Sequence, residues 1–412
     1  MTIAIIITLC VLVLIAYIFD LTASKTKIPS VILLLLLGWL LRELVNYFSI
    51  VVPDLSPALP LLGTVGLILI VMEGSLELEL NHSKASLIRK SFLSATVPML
   101  ILSFGLAWAF GLFGQPAFRF NLVNAIPFCV ISSAIAIPSS RGLGERNREF
   151  IVYESSLSDI LGVLFFNFVA LNAVFGIGTF GRLAFQILLM VLISFIVTIG
   201  TAYLLHKIEH HIKFVPIILL AILIYAVSKV YHLPGLIFIL IFGLFLGNLD
   251  ELKKYKWIDR LRPEELNVEV QNLKRLTIEG SFLIRSLFFL LFGYVIDPPE
   301  LFNVNTFAWA LAITAGIFLL RAIVLFFEGI PFIPLLFIAP RGLITILLFL
   351  SVDPAMSVPL VNRSLIIQVI ALTAVVMMVG IMINKKSDPS TERIKKGKVA
   401  KAGKGITGRL IH

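Results

Sequence analysis

Apolar residues run along the chain in long blocks that are separated by short polar or charged segments. A helix rises about 1.5 Å per residue, so a block of roughly 20 apolar residues crosses a hydrocarbon core about 30 Å thick. The pattern therefore predicts an all-α polytopic membrane protein with thirteen transmembrane helices, of which 234–249 is the shortest. The predicted spans lie near 3–20, 29–45, 59–77, 91–113, 122–140, 149–171, 181–206, 213–230, 234–249, 275–296, 305–327, 332–352 and 361–383.

The composition agrees with this class. Of the 412 residues, 59% are hydrophobic and 14% are charged, which the surface of a soluble fold of this size does not tolerate. The first apolar run, Met1 to Phe19, has no basic n-region and no small-residue cleavage site, so we expect a retained span rather than a signal peptide. Cys10 and Cys129 both lie in apolar runs and predict neither a disulfide framework nor a metal site.

Lysine and arginine are distributed unevenly between the two sides of the predicted membrane. If the N-terminus is outside, the cytoplasmic segments hold 26 of the 34 basic residues, the opposite side holds 5, and 3 lie inside spans. Cytoplasmic loops carry an excess of positive charge. We therefore expect a multi-pass protein of the cell membrane (the inner membrane, in a prokaryote) with the N-terminus outside and the C-terminus in the cytoplasm.

The net charge of +10 comes mainly from this asymmetry and from the basic tail, 384–412. The tail lacks the apolar residues of a core, so we expect it to be disordered or to lie on the anionic inner leaflet, without a nucleic acid partner. The basic segment from Lys253 to Leu273 is predicted to be an interfacial helix. His206, His210 and His211 have helical spacing at the end of a span, where we expect a solvated patch rather than a metal site.

Asp159 is the most informative charged residue inside an apolar block. It lies about ten residues into its span, or about 15 Å deep, near the middle of the hydrocarbon core. A carboxylate at that depth costs about 3 kcal/mol or more, so it predicts a functional site. Ser155 lies one helical turn before it and Ser158 is adjacent. Oxygen ligands of this kind suit a hard monovalent cation.

Five further charges lie within apolar blocks. Glu154 and Arg321 share a depth on spans that run in opposite directions, so we predict a structural ion pair between them. Arg285 and Arg341 are the other intramembrane arginines. Glu73, in a span that ends at the cytoplasmic side, either adds a second carboxylate to the site or is an interfacial charge.

The fifth and twelfth spans carry signs of broken helices. Ser132 and Ser133 precede Pro138 in the fifth span, and Arg341 stands between a proline and a glycine in the twelfth. Prolines and glycines at mid-depth predict unwound segments whose backbone groups face protein or a cavity. The segments AIPSSRGL and IAPRGL are similar and lie on oppositely directed spans, as in an inverted repeat; ordinary helix kinks are the alternative.

Five segments, in order along the chain, resemble motifs of the cation/proton antiporter superfamily, in its sodium/proton exchanger branch. The resemblance implies a thirteen-helix fold with two inverted repeats and crossed, unwound helices, assembled as a homodimer. The transmembrane domain, 1–383, would then comprise core helices at about 91–171 and 305–383 and dimerisation helices at about 1–77 and 213–296. The segments are VMEGSLEL, YESSLSDILGVLFF, FLIRSLFFLLFG, FLLRAIVLF and APRGLITILLFL.

The resemblance also implies roles for individual residues. Asp159 would bind the cation and the proton competitively, Glu154 and Arg321 would form the stabilising pair, and Ser155 and Glu73 would be auxiliary ligands. The chain departs from the branch at two places. The asparagine of the N-D pair is replaced by Ser158, and the T-D-P stretch aligns with Ser132-Ser133-Ala134, which lacks the carboxylate. Fewer acidic ligands favour K⁺ over the strongly hydrated Na⁺, or a lower selectivity.

The expected function is the electroneutral exchange of a monovalent cation, Na⁺ or K⁺, for H⁺, in pH homeostasis and without a cofactor. K⁺ efflux, sodium-coupled solute symport on the same fold, and a degenerate membrane anchor or sensor are the alternatives. We do not expect an enzyme, because the sequence has no H-E-x-x-H, no G-x-S-x-G and no mid-membrane histidine.

Overall fold

The computed structural model describes residues 2–26, 28–50, 52–78, 82–113, 117–173, 176–207, 214–249, 263–296, 300 and 302–383. Within these ranges the chain forms α-helices and three short 3₁₀ helices, without a strand. The predictions for the tail, 384–412, for residues 253–262 and for the side chains of His206, His210 and His211 lie outside the described residues.

Fourteen α-helices occur in the described part of the chain. Three 3₁₀ helices, His82–Lys84, Leu335–Phe337 and Pro354–Met356, lie between them. The α-helices are α1 Thr2–Thr26, α2 Ser30–Tyr47, α3 Ala58–Glu77, α4 Ala85–Leu112, α5 Phe118–Cys129, α6 Ser133–Ser140, α7 Glu145–Leu171, α8 Ile177–Lys207, α9 Phe214–Val230, α10 Gly235–Gly247, α11 Pro263–Val295, α12 Val304–Phe327, α13 Leu343–Leu350 and α14 Arg363–Ile383.

The all-α polytopic fold predicted from the apolar blocks is confirmed. Ten spans of the described helices are long and apolar enough to cross a membrane, and α9 and α10 are shorter apolar helices. The fifth span is broken into α5 and α6, and the twelfth into the 3₁₀ helix Leu335–Phe337 and α13. We call the side on which α1 begins the N-terminal face, and the side on which α14 ends the C-terminal face.

The start of α11 corrects one prediction. This helix begins at Pro263, well before the predicted span at 275. Residues 263–273 therefore belong to α11, and Leu266, Val270 and Leu273 are buried there. They do not form a separate interfacial helix.

The helices pack in two groups. The scaffold group comprises α1, α2, α3, α8, α9, α10 and α11, in which α11 packs against both α2 and α3. Glycines bring the backbones of α2 and α11 into contact, since a Cβ atom on Gly38 would lie 2.1 Å from the carbonyl oxygen of Leu290, and one on Gly293 would lie 2.3 Å from that of Leu35. Small residues at such contacts are typical of helix association in membranes.

The core group comprises α4 to α7 together with α12 to α14. Its two halves form the inverted repeats: α4, the broken α5–α6 span and α7 in one, and α12, the broken span with α13, and α14 in the other. Corresponding spans run in opposite directions, and the two broken spans meet in the middle of the group. Among the scaffold helices, α3 packs against core helices α6, α7 and α13.

Candidate functional site

The breaks in the fifth and twelfth spans cross each other. The backbone amide of Ser132 donates to the carbonyl oxygen of Pro340 at 2.9 Å, so a backbone group freed by one break is satisfied by the other. A Cβ atom on Gly342 would lie 3.0 Å from Ser132 Oγ and 2.6 Å from Ile135 Cδ1. Glycine at this position therefore permits the close approach of the two unwound segments.

Arg341 neutralises the end of α5. Its guanidinium donates to the carbonyl oxygens of Phe128 at 2.5 Å and Cys129 at 3.4 Å, and also to that of Ala339 at 3.1 Å. The C-terminal end of a helix carries a partial negative charge, and its last carbonyl groups lack intrahelical hydrogen-bond donors. A buried guanidinium supplies both the positive charge and the donors. This buried arginine is accordingly engaged with backbone at the crossing.

Asp159 lies on α7 beside this crossing and is 1% exposed. Its Oδ2 accepts a hydrogen bond from the hydroxyl of Ser133, and the backbone amide of Ser133 also donates toward the carboxylate. Ser133 is the first residue of α6, so the positive end of that helix faces the carboxylate.

Two buried oxygens at the crossing have no hydrogen-bond partner in the described part of the chain: Asp159 Oδ1 and Ser132 Oγ. A carboxylate oxygen and a hydroxyl are oxygen ligands, and unwound backbone in transporters adds carbonyls to such sites. No group of three or more His, Cys, Asp or Glu side chains within the described ranges could hold a resident metal ion. The donor set fits a monovalent cation and a proton.

Two of the three serines of α7, Ser155 and Ser158, form hydrogen bonds with backbone. Ser158 Oγ accepts from the backbone amide of Ile131 at 2.9 Å, so it holds the unwound segment against α7. Ser155 donates to the carbonyl oxygen of Ile151 on its own helix at 2.7 Å. Gly162 admits the same unwound segment, since a Cβ atom there would lie 2.3 Å from Val130 Cγ2. The ligand roles of Ser155 and Ser158 stay predictions.

Glu154 and Arg321 are in direct contact. The guanidinium of Arg321 donates to both carboxylate oxygens, at 2.7 and 2.8 Å, and its Nε donates to the carbonyl oxygen of Leu335 at 2.7 Å. The two side chains are 1% and 4% exposed. The ion pair that was predicted from the equal depth of the two residues is present in the structure.

Glu73 lies away from the crossing. It is buried on α3, where Arg285 of α11 is the main positive charge that acts on it, Arg141 is a weaker one, and Ser281 lies beside it. Glu73 and Arg285 are not close enough for a direct ion pair, and no contact between described residues joins Glu73 to Asp159. The structure thus places Glu73 and Arg285 within the scaffold group, and a ligand role for Glu73 stays a prediction.

At the C-terminal face, ion pairs connect the core group to the scaffold group. Arg141, which follows α6, pairs with Asp20 of α1 at 3.0 Å, and Arg148 of α7 pairs with Glu77 of α3 at 3.1 Å. Lys274 of α11 lies 3.9 Å from the same Glu77. Sequence analysis did not find these pairs, because these charges lie near the ends of helices, where many charges share the same depth.

An apolar cluster lies between these ion pairs and Asp159. It contains Leu78, Ile137, Val152 and Tyr153. A cavity of about 410 Å³ opens at the C-terminal face and is lined by Val152 and Tyr153 at this cluster. The cluster therefore separates that cavity from the crossing.

At the N-terminal face, a cavity of about 280 Å³ lies between the two groups of helices. Residues of α7 and α13 line it on the core side, and residues of α3, α9 and α10 line it on the scaffold side. Ile160, the residue after Asp159, is part of the lining. The cavity therefore reaches α7 at the level of Asp159, which is not itself part of the lining.

Two inverted repeats with crossed, broken helices, and a buried carboxylate at the crossing, define the fold of the sodium/proton antiporters. The family model described as "Sodium/hydrogen exchanger, transmembrane" matches residues 10–385. The chain therefore belongs to the sodium/hydrogen exchanger family, which is a family of transporters and not a class of enzymes. The resemblance seen in the five sequence segments is confirmed.

Solved structures support the fold. The structure of the sodium proton antiporter MjNhaP1 from Methanocaldococcus jannaschii at pH 8 matches with a TM-score of 0.69 and 18% identity, covering 92% of this chain and 99% of that one. An electron microscopy structure of MjNhaP1 matches with a TM-score of 0.64 and 18% identity, covering 93% and 95%. At this identity the likeness shows the fold alone. No curated protein matches the chain significantly.

Proposed function

We propose that the protein exchanges a monovalent cation for H⁺ across the cell membrane, and that Asp159 binds the cation and the proton in competition. The observation that carries this proposal is the position of Asp159. It is a buried carboxylate at the crossing of two broken helices, with one oxygen held by Ser133 and the other without a partner in the described chain.

Electrostatics couples the two ions. A bare carboxylate that crosses the membrane interior without a counter-charge costs several kcal/mol, on the order of the cost of an unpaired buried charge. A bound cation or a bound proton removes that charge. The core group therefore changes its access from one face to the other only when Asp159 is neutralised, and the movement of one ion requires the return of the other.

The exchange is electroneutral in this account. Ser132 and Ser133 stand where the related motif has a carboxylate, so the crossing contains one titratable carboxylate, Asp159. Arg341 is engaged with the carbonyl oxygens of α5 and does not change its charge in the cycle. One monovalent cation then replaces one proton.

Alternating access follows from the way the two groups of helices meet. The cavity at the N-terminal face supports access to Asp159 from that side, while the apolar cluster and the ion pairs of Arg141 and Arg148 support closure at the C-terminal face. With the N-terminus outside, this conformation is open to the exterior. The scaffold group would stay fixed in a homodimer while the core group moves.

The oxygen ligands at the crossing influence which cation the protein prefers to transport. Hydroxyl oxygens compensate less of the dehydration of Na⁺ than a second carboxylate would, so we propose that K⁺ is carried at least as well as Na⁺. The physiological role is then the control of cytoplasmic pH.

The test is cation-induced proton movement in proteoliposomes whose interior is more acidic than the medium, so that an added external cation enters in exchange for an internal proton. Addition of Na⁺, K⁺ or Li⁺ to the wild type should dissipate the gradient, whereas Asp159→Asn should be inactive with each cation. Asp54→Asn, which alters an exposed carboxylate of the N-terminal face, is the matched control and should be active. A wild type that is inactive with all three cations would instead favour solute symport or a membrane anchor that does not transport.

A further inference from the structure

The basic side chains of the N-terminal face have different surroundings. Among the five lysines and arginines on this side, Arg42 donates to the carbonyl oxygens of Val295 and Ile296, and Arg119 donates to those of Val169 and Ala170. Arg363 lies close enough to Asp54 for the two charges to interact. These three have structural partners within the protein. Arg182 and Lys229 have no such partner among the described residues.

Arg182 and Lys229 line one continuous cleft. A cavity of about 260 Å³ borders Arg182, and the cavity of about 280 Å³ borders Lys229. The two cavities share Asn167, His232 and Pro234, so they form a single cleft between α7 and the segment α8–α10, which we call the α7–α10 cleft.

The segments that carry Arg182 and Lys229 into the α7–α10 cleft contain no acidic residue. No Asp or Glu occurs in residues 160–207 or in residues 214–249. The helices α8 and α10 begin at the cleft, where Thr179 and Gly235 belong to its lining, and helix N-termini attract anions. Asn167 and His232 add further polar groups to the lining. The chemistry of the cleft thus fits a phosphate-type anion.

Exposed apolar side chains continue from this cleft along α8. Phe185, Leu188 and Leu192 are all more than half exposed on this helix. They follow Arg182 in the direction of the membrane interior, because α8 runs from the N-terminal to the C-terminal face. A ligand with an anionic head at Arg182 and an acyl chain along α8 satisfies both features, whereas a soluble anion would leave the apolar surface unused.

We infer that the α7–α10 cleft binds the phosphate headgroup of an anionic phospholipid, held by Arg182 and Lys229. The cleft lies between the core group and the scaffold group, so its shape changes when one moves against the other. A headgroup bound there stabilises the conformation in which the cleft is open. The cleft includes the cavity that supports access to Asp159, so a bound headgroup also occupies part of that access route. The lipid composition of the membrane thereby affects the transport cycle without contact between the lipid and Asp159.

Thermal unfolding of the purified protein in a neutral detergent tests this site without any transport. The wild type is titrated with short-chain phosphatidylglycerol, with short-chain phosphatidylcholine or with inorganic phosphate. A ligand that binds the folded state raises the unfolding temperature as its concentration increases. Each basic group near a headgroup contributes about fivefold to binding, so Arg182→Gln/Lys229→Gln should weaken phosphatidylglycerol binding about 30-fold.

Two further variants make the result specific. Arg363→Gln removes a basic group of the same face outside the cleft and should bind phosphatidylglycerol as the wild type does. Arg182→Lys/Lys229→Arg keeps both charges and should retain the stabilisation. Equal stabilisation by phosphatidylcholine, no stabilisation of the wild type by phosphatidylglycerol, or unchanged binding in the Gln/Gln variant would overturn the proposal. Stabilisation by inorganic phosphate to the same extent would overturn the lipid assignment in favour of a soluble anion.

Discussion

Arg321 binds both carboxylate oxygens of Glu154 and at the same time the carbonyl oxygen of Leu335. Glu154 belongs to the first inverted repeat, whereas Arg321 and Leu335 belong to the second. A single guanidinium therefore connects the two repeats and fixes the 3₁₀ helix that precedes the unwound segment of the twelfth span. The pair holds the crossing in place from one side, without contacting Asp159.

This ion pair predicts that the loss of one charge lowers the stability more than the loss of both charges. Arg321→Gln leaves the buried carboxylate of Glu154 without its charge partner, which should lower the stability by about 3–5 kcal/mol. The double variant Glu154→Gln/Arg321→Gln removes both charges and should be considerably more stable than the single variant. Thermal unfolding of the three proteins in detergent measures the difference. A double variant as unstable as Arg321→Gln would show that the pairing of charges is not what stabilises this contact.

The contact between Gly74 and Ser156 predicts an effect on transport rate. Gly74 lies on α3 and Ser156 on α7, and a Cβ atom on Gly74 would lie 2.7 Å from Ser156 Oγ. If the core group slides along α3, Gly74→Ala should hinder the movement and reduce the rate of exchange, with cation binding retained. The measurement is the initial rate of cation-driven proton movement in proteoliposomes.

The matched control relieves the clash by shortening the side chain at position 156. Ser156 Oγ has no hydrogen-bond partner in the described chain, and a Cβ atom on Gly74 would lie 3.9 Å from Ser156 Cβ. The double variant Gly74→Ala/Ser156→Ala should therefore recover most of the rate. Continued slow exchange in the double variant would exclude this contact as the cause.

Glu328, which follows α12 at the C-terminal face, predicts a dependence of stability on pH. Its Oε2 accepts from the hydroxyl of Ser94 at 3.0 Å. Partial burial is the main cause that raises the pKa of the Glu328 carboxyl above its usual value of 4.5, and the charge of Glu154 adds to this effect. The folded protein therefore holds this proton more strongly than the unfolded chain does. The resulting stabilisation is present below pH 4.5 and is lost as the pH rises through the raised pKa.

Glu328→Gln should remove this dependence, so the stability of the variant relative to the wild type should increase as the pH rises from about 4 to neutral. Asp54 provides a control of opposite sign, because the hydroxyl and the amide of Ser56 lower the pKa of its carboxyl. Asp54→Asn should lose stability relative to the wild type as the pH rises from the lowered pKa of Asp54 to about its usual value of 3.8, so this change lies mainly below the pH range of the Glu328 effect. The two variants are compared by thermal unfolding at each pH. Parallel curves for Glu328→Gln and the wild type would contradict the prediction.

The fold could be predicted from the sequence because its main determinant is local. Each span is a contiguous apolar block, and the break in the twelfth span is marked by the residues around Arg341. In the fifth span Pro138 lies inside α6, and the break falls earlier, between Cys129 and Ser133. The depth of a residue along a helix can also be counted. This count places Glu154 and Arg321 at the same depth, so their ion pair could be predicted from the sequence. The start of α11 at Pro263 was missed because its first turns are polar and charged, although Leu266 and Val270 are buried.

The details of the site depend on helix rotation and on distant partners, which spacing does not give. Ser158 is next to Asp159 in sequence, yet its hydroxyl binds the amide of Ile131. Ser133, which is 26 positions away, donates directly to the carboxylate. Glu73 is buried as a ligand would be, but it belongs to α3 of the scaffold group, where the charge of Arg285 acts on it. Only the packing of the helices distinguishes these cases.

The competition between cation and proton at Asp159 is the central claim, and proton release on cation binding tests it most directly. The purified protein is placed in a weakly buffered detergent solution at a pH where Asp159 is partly protonated, and Na⁺, K⁺ or Li⁺ is added while the proton release is measured. The account predicts a release that saturates at no more than about one proton per protomer for the wild type and no release for Asp159→Asn. Equal proton release from Asp159→Asn and the wild type would contradict it, because the cation would then displace protons from another group.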